Sequence, residues 1–169
     1  MPTWASVLVL VAIVALIGYG MWHGWRRRTR VTAEFVPALP AVPDDLGAVR
    51  LGPLEATYVS STTHGDWLDR VSAHDLGARS AASVEVRDGG VLLRRRGAAD
   101  VFMPAAALRS VGTAPGMAGT FVGGEGLVVL TWAPTDGRAL DTGLLVRHRA
   151  ERPRLIEAVQ NLIPKEAAA

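Results

Sequence analysis

Twenty-one consecutive residues, Trp4 to Gly24, carry no side chain that is charged at neutral pH, and most of them are Val, Leu, Ile or Ala. At 1.5 Å per residue a helix of that length spans roughly 31 Å, about the thickness of a bilayer's hydrocarbon core. A helix satisfies its own backbone hydrogen bonds, so it is stable in lipid where an open strand or loop is not. Trp4 at one end and Tyr19, Trp22 and Trp25 at the other sit where amphipathic rings settle at headgroup level. The pattern predicts a transmembrane helix over residues 4–25 after a tail of residues 1–3. A cleaved signal peptide would place basic residues before a shorter apolar run. Here the order is reversed, with Arg26, Arg27, Arg28 and Arg30 following the run. Arginines beside a span resist translocation, which predicts a single-pass protein of the plasma (inner) membrane, N-terminus outside and the rest cytoplasmic.

Those four arginines also account for the basic balance. The chain has 18 Lys plus Arg against 16 Asp plus Glu, and without the cluster 14 basic residues face 16 acidic ones. A chain that is slightly acidic beyond its juxtamembrane segment gives no sign of nucleic-acid binding. There is no cysteine, which excludes disulfides, thiolate metal sites and cysteine nucleophiles.

Four of the ten prolines fall within VPALPAVPDDLGAVRLGP, residues 36–53. Proline at this density favours extended backbone, so residues 26–53 are expected to be a basic juxtamembrane segment followed by a semi-rigid spacer. Residues 54–164 are the length of one ordinary domain, with a tail at 165–169. The domain pattern is mainly β. EATYVSS (55–61) is a short β-prone run, and ASVEVRDGGVLLRRR (82–96) alternates, turns at Asp88-Gly89-Gly90 and resumes, as a hairpin does. Further strands are expected at 100–103, 105–110, 120–122, 127–132 and 140–149, separated by Gly- and Pro-containing turns such as GGEG (123–126) and APTDG (133–137). Short strands at spacings of about ten residues predict an antiparallel sandwich or barrel. The period then changes. Leu155, Ile156, Val159, Leu162 and Ile163 make one apolar stripe on a helix that Pro164 stops, and such a helix needs an open end of the β structure to cover.

YVSSTTHGDWLDRVSAHDLGARS (58–80), GGVLLRRRG (89–97), GMAGTFV (116–122) and LVVLTWAPTDGRALDTGLLV (127–146), with six or seven strands closed by one helix, resemble the pleckstrin-homology-like (PH-like) fold. The chain is similar to actinobacterial single-pass membrane proteins with a bacterial PH-like cytoplasmic domain. The resemblance implies a PH-like antiparallel sandwich or barrel capped by a C-terminal amphipathic helix. Its motifs are structural glycines, tryptophans and turn residues, so it implies a fold and a topology, and no catalytic residue comes with it.

THGDWLDRVSAHD (63–75) is the densest polar stretch, holding two of the four histidines. His64 and Asp66 flank a glycine, His74 and Asp75 are adjacent and diverge, and Ser60 or Ser61 lacks the elbow that would make a nucleophile of it. No metal, cofactor or catalytic residue is expected there. Trp67, Leu68 and Val71 instead predict a turn anchored in the core by Trp67. The glycine-rich pieces match no phosphate loop. Among Arg94, Arg95 and Arg96, strand alternation points Arg95 away from its neighbours. The favoured function is a membrane-anchored binding or scaffolding module for a protein or peptide partner, with the lipid bilayer as its second partner. The alternatives are recognition of anionic lipid headgroups, with Arg26, Arg27, Arg28 and Arg30 contributing, or a subunit of a membrane transport assembly.

Overall fold

In the computed structural model, residues 3–35, 38–124, 126–134 and 138–164 are described; the side chains of residues 3, 5, 6 and 25–35 are not. The expected C-terminal tail, Met1 and Pro2, Val36 and Pro37 at the start of the proline-rich stretch, Glu125 of the GGEG turn and residues 135–137 therefore lie outside the described residues. The first helix, α1 (Thr3–Phe35), runs unbroken through the apolar stretch and on past the arginine cluster. Its window Val7–Gly24, of mean hydropathy 2.0, is long and apolar enough to cross a membrane, and none of it is buried by the rest of the chain. Trp4, Tyr19 and Trp22 are all exposed.

The domain is built on one antiparallel sheet of seven strands in the order β4-β3-β2-β1-β9-β8-β5. Its strands are β1 (Val49–Thr63), β2 (Ser80–Arg87), β3 (Gly90–Arg95), β4 (Val101–Pro104), β5 (Leu108–Ala114), β8 (Leu127–Trp132) and β9 (Leu140–Val146). A small hairpin, β6 (Gly116–Met117) and β7 (Thr120–Phe121), lies over the outer side of the sheet. The turn between β2 and β3 falls at Asp88-Gly89, and Gly90 adopts φ +151°, where an added Cβ would meet the Met103 carbonyl at 2.2 Å. Only glycine fits there. Among the described residues no ladder joins β4 to β5, so the sheet is open along that seam.

Alternation sorts the strands into two faces. The inner face carries Val84, Val86, Val91, Leu93, Leu130, Trp132 and Leu144, all inaccessible to solvent. Beneath them lies α2 (Arg152–Gln160), a helix whose buried Leu155 and Val159, with Leu162 just beyond, complete that core. The stripe expected at the C-terminus is thus seated as its spacing implied, with Ile156 and Ile163 at the margin.

Three expectations are corrected. Trp67 is 48% exposed and Leu68 more so, and the loop is held down by Val71, Ala73 and Leu76. Residues 105–107 form a 3-10 turn after Pro104, and β5 starts at Leu108. The proline-rich stretch is not wholly a spacer. Leu39 and Leu51 pack on the main core, Leu46 covers the outer side of Leu92 and Phe102, and Val49 already belongs to β1.

Candidate functional site

An open sheet has two edges, and they differ. β4 has four residues and ends in Pro104, and shortness and proline both blunt an edge against pairing. β5 has seven residues and no proline; it pairs with β8 on one side, and its other side carries no strand among the described residues. Arg109, Ser110, Gly112 and Thr113 are exposed along it, while Leu108 and Ala114 pin its ends into the core. α2 lies alongside, leaving a groove of about 360 Å³ lined by Thr113, Arg149, Arg152, Pro153, Ile156 and Glu157. Unpaired backbone groups beside an apolar-and-polar helix face are what an added strand requires.

The histidine-rich loop does not make a comparable site. His64 Nδ1 lies 2.9 Å from Asp141 Oδ1, a carboxylate far along the sequence on β9, which also accepts from Thr131 Oγ1 at 2.7 Å. Neither Ser60 nor Ser61 pairs with it. A bulge in β1 between Tyr58 and Ser60 turns Tyr58 and Ser61 to the same side, where alternation alone would separate them. The Tyr58 hydroxyl donates to the Leu76 carbonyl at 2.8 Å and lies 2.7 Å from Ser61 Oγ. Ser61 Oγ in turn reaches Thr142 Oγ1, which accepts from Trp132 Nε1 at 3.0 Å. Burial pushes the Tyr58 phenol up to about 12 despite the Ser61 bond and the nearby Arg95. These groups are locked into a buried structural chain.

Arg95 takes the inward course its parity implied. Its guanidinium stacks on the Tyr58 ring, 4.2 Å from the centroid, and donates to the carbonyls of Asp75 (2.7 Å) and Ala78 (3.3 Å). It thereby holds a turn in which His74 and Asp75 adopt positive φ, 53° and 57°. Arg94 and Arg96 stay on the exposed side. Arg94 reaches Glu85 Oε1 at 3.3 Å, and Glu85 also accepts from Arg87 at 2.8 Å. The Arg87 hydrogen bond, with help from Arg94, holds the Glu85 carboxyl below its usual range against the opposing effect of burial.

Trp4, Tyr19 and Trp22, expected from the sequence as interface anchors, project from one exposed helix. The side chains of Trp25, Arg26, Arg27, Arg28 and Arg30 lie outside the described residues, although their backbone is α1. Among the described residues no group of three or more His, Cys, Asp or Glu side chains is arranged to hold a metal ion. The β5 edge was invisible in the sequence, because which strands end a sheet depends on long-range pairing.

No curated protein and no solved structure matches this chain. A family model does, over residues 36–160, from the docked proline-rich stretch through β9 to the end of α2. PH-like domains are non-catalytic scaffolds. With most of its length so matched, the chain belongs to the bacterial PH domain-like family.

Proposed function

We propose that this protein is a membrane-tethered binding module in which α1 spans the inner membrane with its N-terminus outside, and the cytoplasmic domain takes an extended segment of a protein partner on β5. The observation that carries the reading is the seven-residue edge of β5 beside α2, which no strand pairs among the described residues. Main-chain hydrogen bonds to such an edge give affinity, and the flanking helix gives side-chain selectivity. The exposed apolar window of α1 and the arginines that follow it support the anchoring and its direction.

The test is site-specific photo-crosslinking of the full chain in native membranes, with the probe at Ser110 on β5 or at Ala99 before β4. Adducts to a discrete partner are expected from Ser110 and not from Ala99. Gly112→Pro and Thr113→Pro are then made separately. Amide directions alternate along a strand, so one of the two removes an outward-facing donor without touching the β8 ladder. That variant should fold and lose the adduct. Adducts from Ala99 alone, or adducts that survive both prolines, would reject the edge as the binding element. Digestion of a tag after Ala169 by protease added outside intact cells would reject the orientation.

A further inference from the structure

The side of the sheet opposite the core carries a second concavity, a cleft of about 1040 Å³. Strand register fixes its floor and walls. Arg94 on β3 stands opposite Ser83 on β2, Ser83 opposite Glu55 on β1, and the Glu55 carbonyl accepts from the backbone N–H of Arg147 just past β9. One step along, Arg96 bonds by its backbone to Ala81, which pairs with Thr57 and so with Leu145. The two central strands thus present small side chains, Ala81, Ser83 and Thr57, while the strands on either side carry arginines. The result is a trough, with Arg94 and Arg96 along one wall and Arg147, Arg149 and Arg152 along the other.

Among the described residues that line the trough, charge is unbalanced. Glu55 is the acidic side chain among its described lining residues, and Arg147 pairs with it at 2.8 Å. Arg94 is turned toward Glu85. Among the described residues no side-chain acceptor reaches the exposed guanidiniums of Arg96 or Arg149, which stand on opposite walls. The walls are separated by three inter-strand spacings, roughly 14 Å at the backbone. A single phosphate needs donors converging to about 3 Å from one group, whereas charges spread over two walls match carboxylates repeated along a chain, about 7 Å apart on alternate residues of an extended peptide. Arginine clusters recognise acidic motifs in this way.

The trough and the β5 groove also meet, since Arg149 and Arg152 line both. We propose that the trough binds an acidic stretch of the partner polypeptide, entering past Arg149 and Arg152 from the segment that pairs with β5. The path of the peptide rests on the edge reading; the acidic chemistry of the trough rests on the arginines alone.

The experiment measures binding of a fluorescent oligoglutamate peptide, with an oligoglutamine peptide of equal length as control, to the full chain in nanodiscs of neutral lipid. The glutamate peptide should bind at low salt and the glutamine peptide should not. Raising salt from roughly 50 to 300 mM should weaken binding steeply, because these charges are exposed and screened. The double variant Arg96→Glu, Arg149→Glu should weaken it by about tenfold or more, and the milder Arg96→Gln, Arg149→Gln by less, with unchanged melting temperatures. Equal binding of the two peptides, no binding of either, or retention in both double variants would overturn the proposal. So would tighter, arginine-dependent binding to nanodiscs rich in phosphatidylglycerol, which would assign the trough to the membrane, or arginine-dependent competition by inorganic phosphate at lower concentration than the peptide. The proline variants in β5 separate the two readings. Oligoglutamate binding that persists in them while the partner crosslink is lost keeps both, and a crosslink that survives them with glutamate binding intact removes the edge and keeps the trough.

Discussion

The two faces of the same strands obey different rules. On the inner side Val84, Val86, Val91 and Leu93 contact one another and α2, and each excludes water. On the outer side the alternate positions hold Ser83, Glu85, Arg94 and Arg96, and Glu85 pairs with Arg87 and Arg94 in ion pairs that remain partly wet. Burial of apolar area is non-directional and large per residue, whereas exposed charge pairs contribute little stability. The inner face therefore makes the fold, and the outer face is left free to specify a partner.

Trp132 offers the hardest test of that division. It is fully buried at the end of β8, opposite Leu140, with its indole N–H bonded to Thr142. Trp132→Ala should cost about 3–5 kcal/mol, the range for a buried aromatic whose site only partly collapses. Chemical denaturation of the full chain in detergent would show it as a lowered midpoint, insensitive to salt. A loss below about 1 kcal/mol would mean that the inner face is not the main source of stability.

Next in size is a buried phenol in that core. Tyr58 is raised from 10.0 to about 12, mainly by burial. The unfolded chain releases its phenol proton first, so the stabilisation is complete below pH 10 and is lost as pH climbs toward 12. Each unit is worth about 1.4 kcal/mol, so roughly 2–3 kcal/mol should disappear across that window. Tyr58→Phe should start less stable at neutral pH, having lost bonds to Ser61 and Leu76, and should lack this alkaline decline. Parallel alkaline slopes for the two proteins would place the phenol in contact with solvent.

Legibility in the sequence divides along the same line. The hairpin at 82–96 and the stripe of α2 were readable because each rests on a local period and a local turn, and both are seated as that period implied. Trp67 misled because its spacing to Val71 looked like an apolar face. What decides burial there is the path of the loop, which the backbone hydrogen bonds of Ser61 to Leu76 and Val71 pull down at its far end. Prolines suggested a spacer, yet Leu46 is drawn onto Leu92 and Phe102, outward-facing apolar side chains that would otherwise meet water. The trough had a partial sign in the four arginines of RHRAERPR (147–154). Three of them, Arg147, Arg149 and Arg152, meet Arg94 and Arg96 only through β3-β2-β1-β9 adjacency, which no local pattern encodes.

The smallest effect belongs to the outer face, and it is the one that sharpens the comparison. Glu85 is held below its usual range chiefly by the Arg87 hydrogen bond, then by Arg94. A depressed carboxylate contributes stability above its unfolded value of 4.5, and that contribution is lost as pH falls through the lower folded value. Glu85→Gln should therefore cost only about 0.5–1 kcal/mol at neutral pH, because Arg94 is largely exposed and its pairing is screened. The deficit should shrink in high salt and vanish in acid, where wild type has lost its own charge. A deficit of the size predicted for Trp132→Ala, unchanged by salt, would show that the outer face carries as much of the fold as the inner one, and that its arginines are committed to structure before any acidic partner arrives.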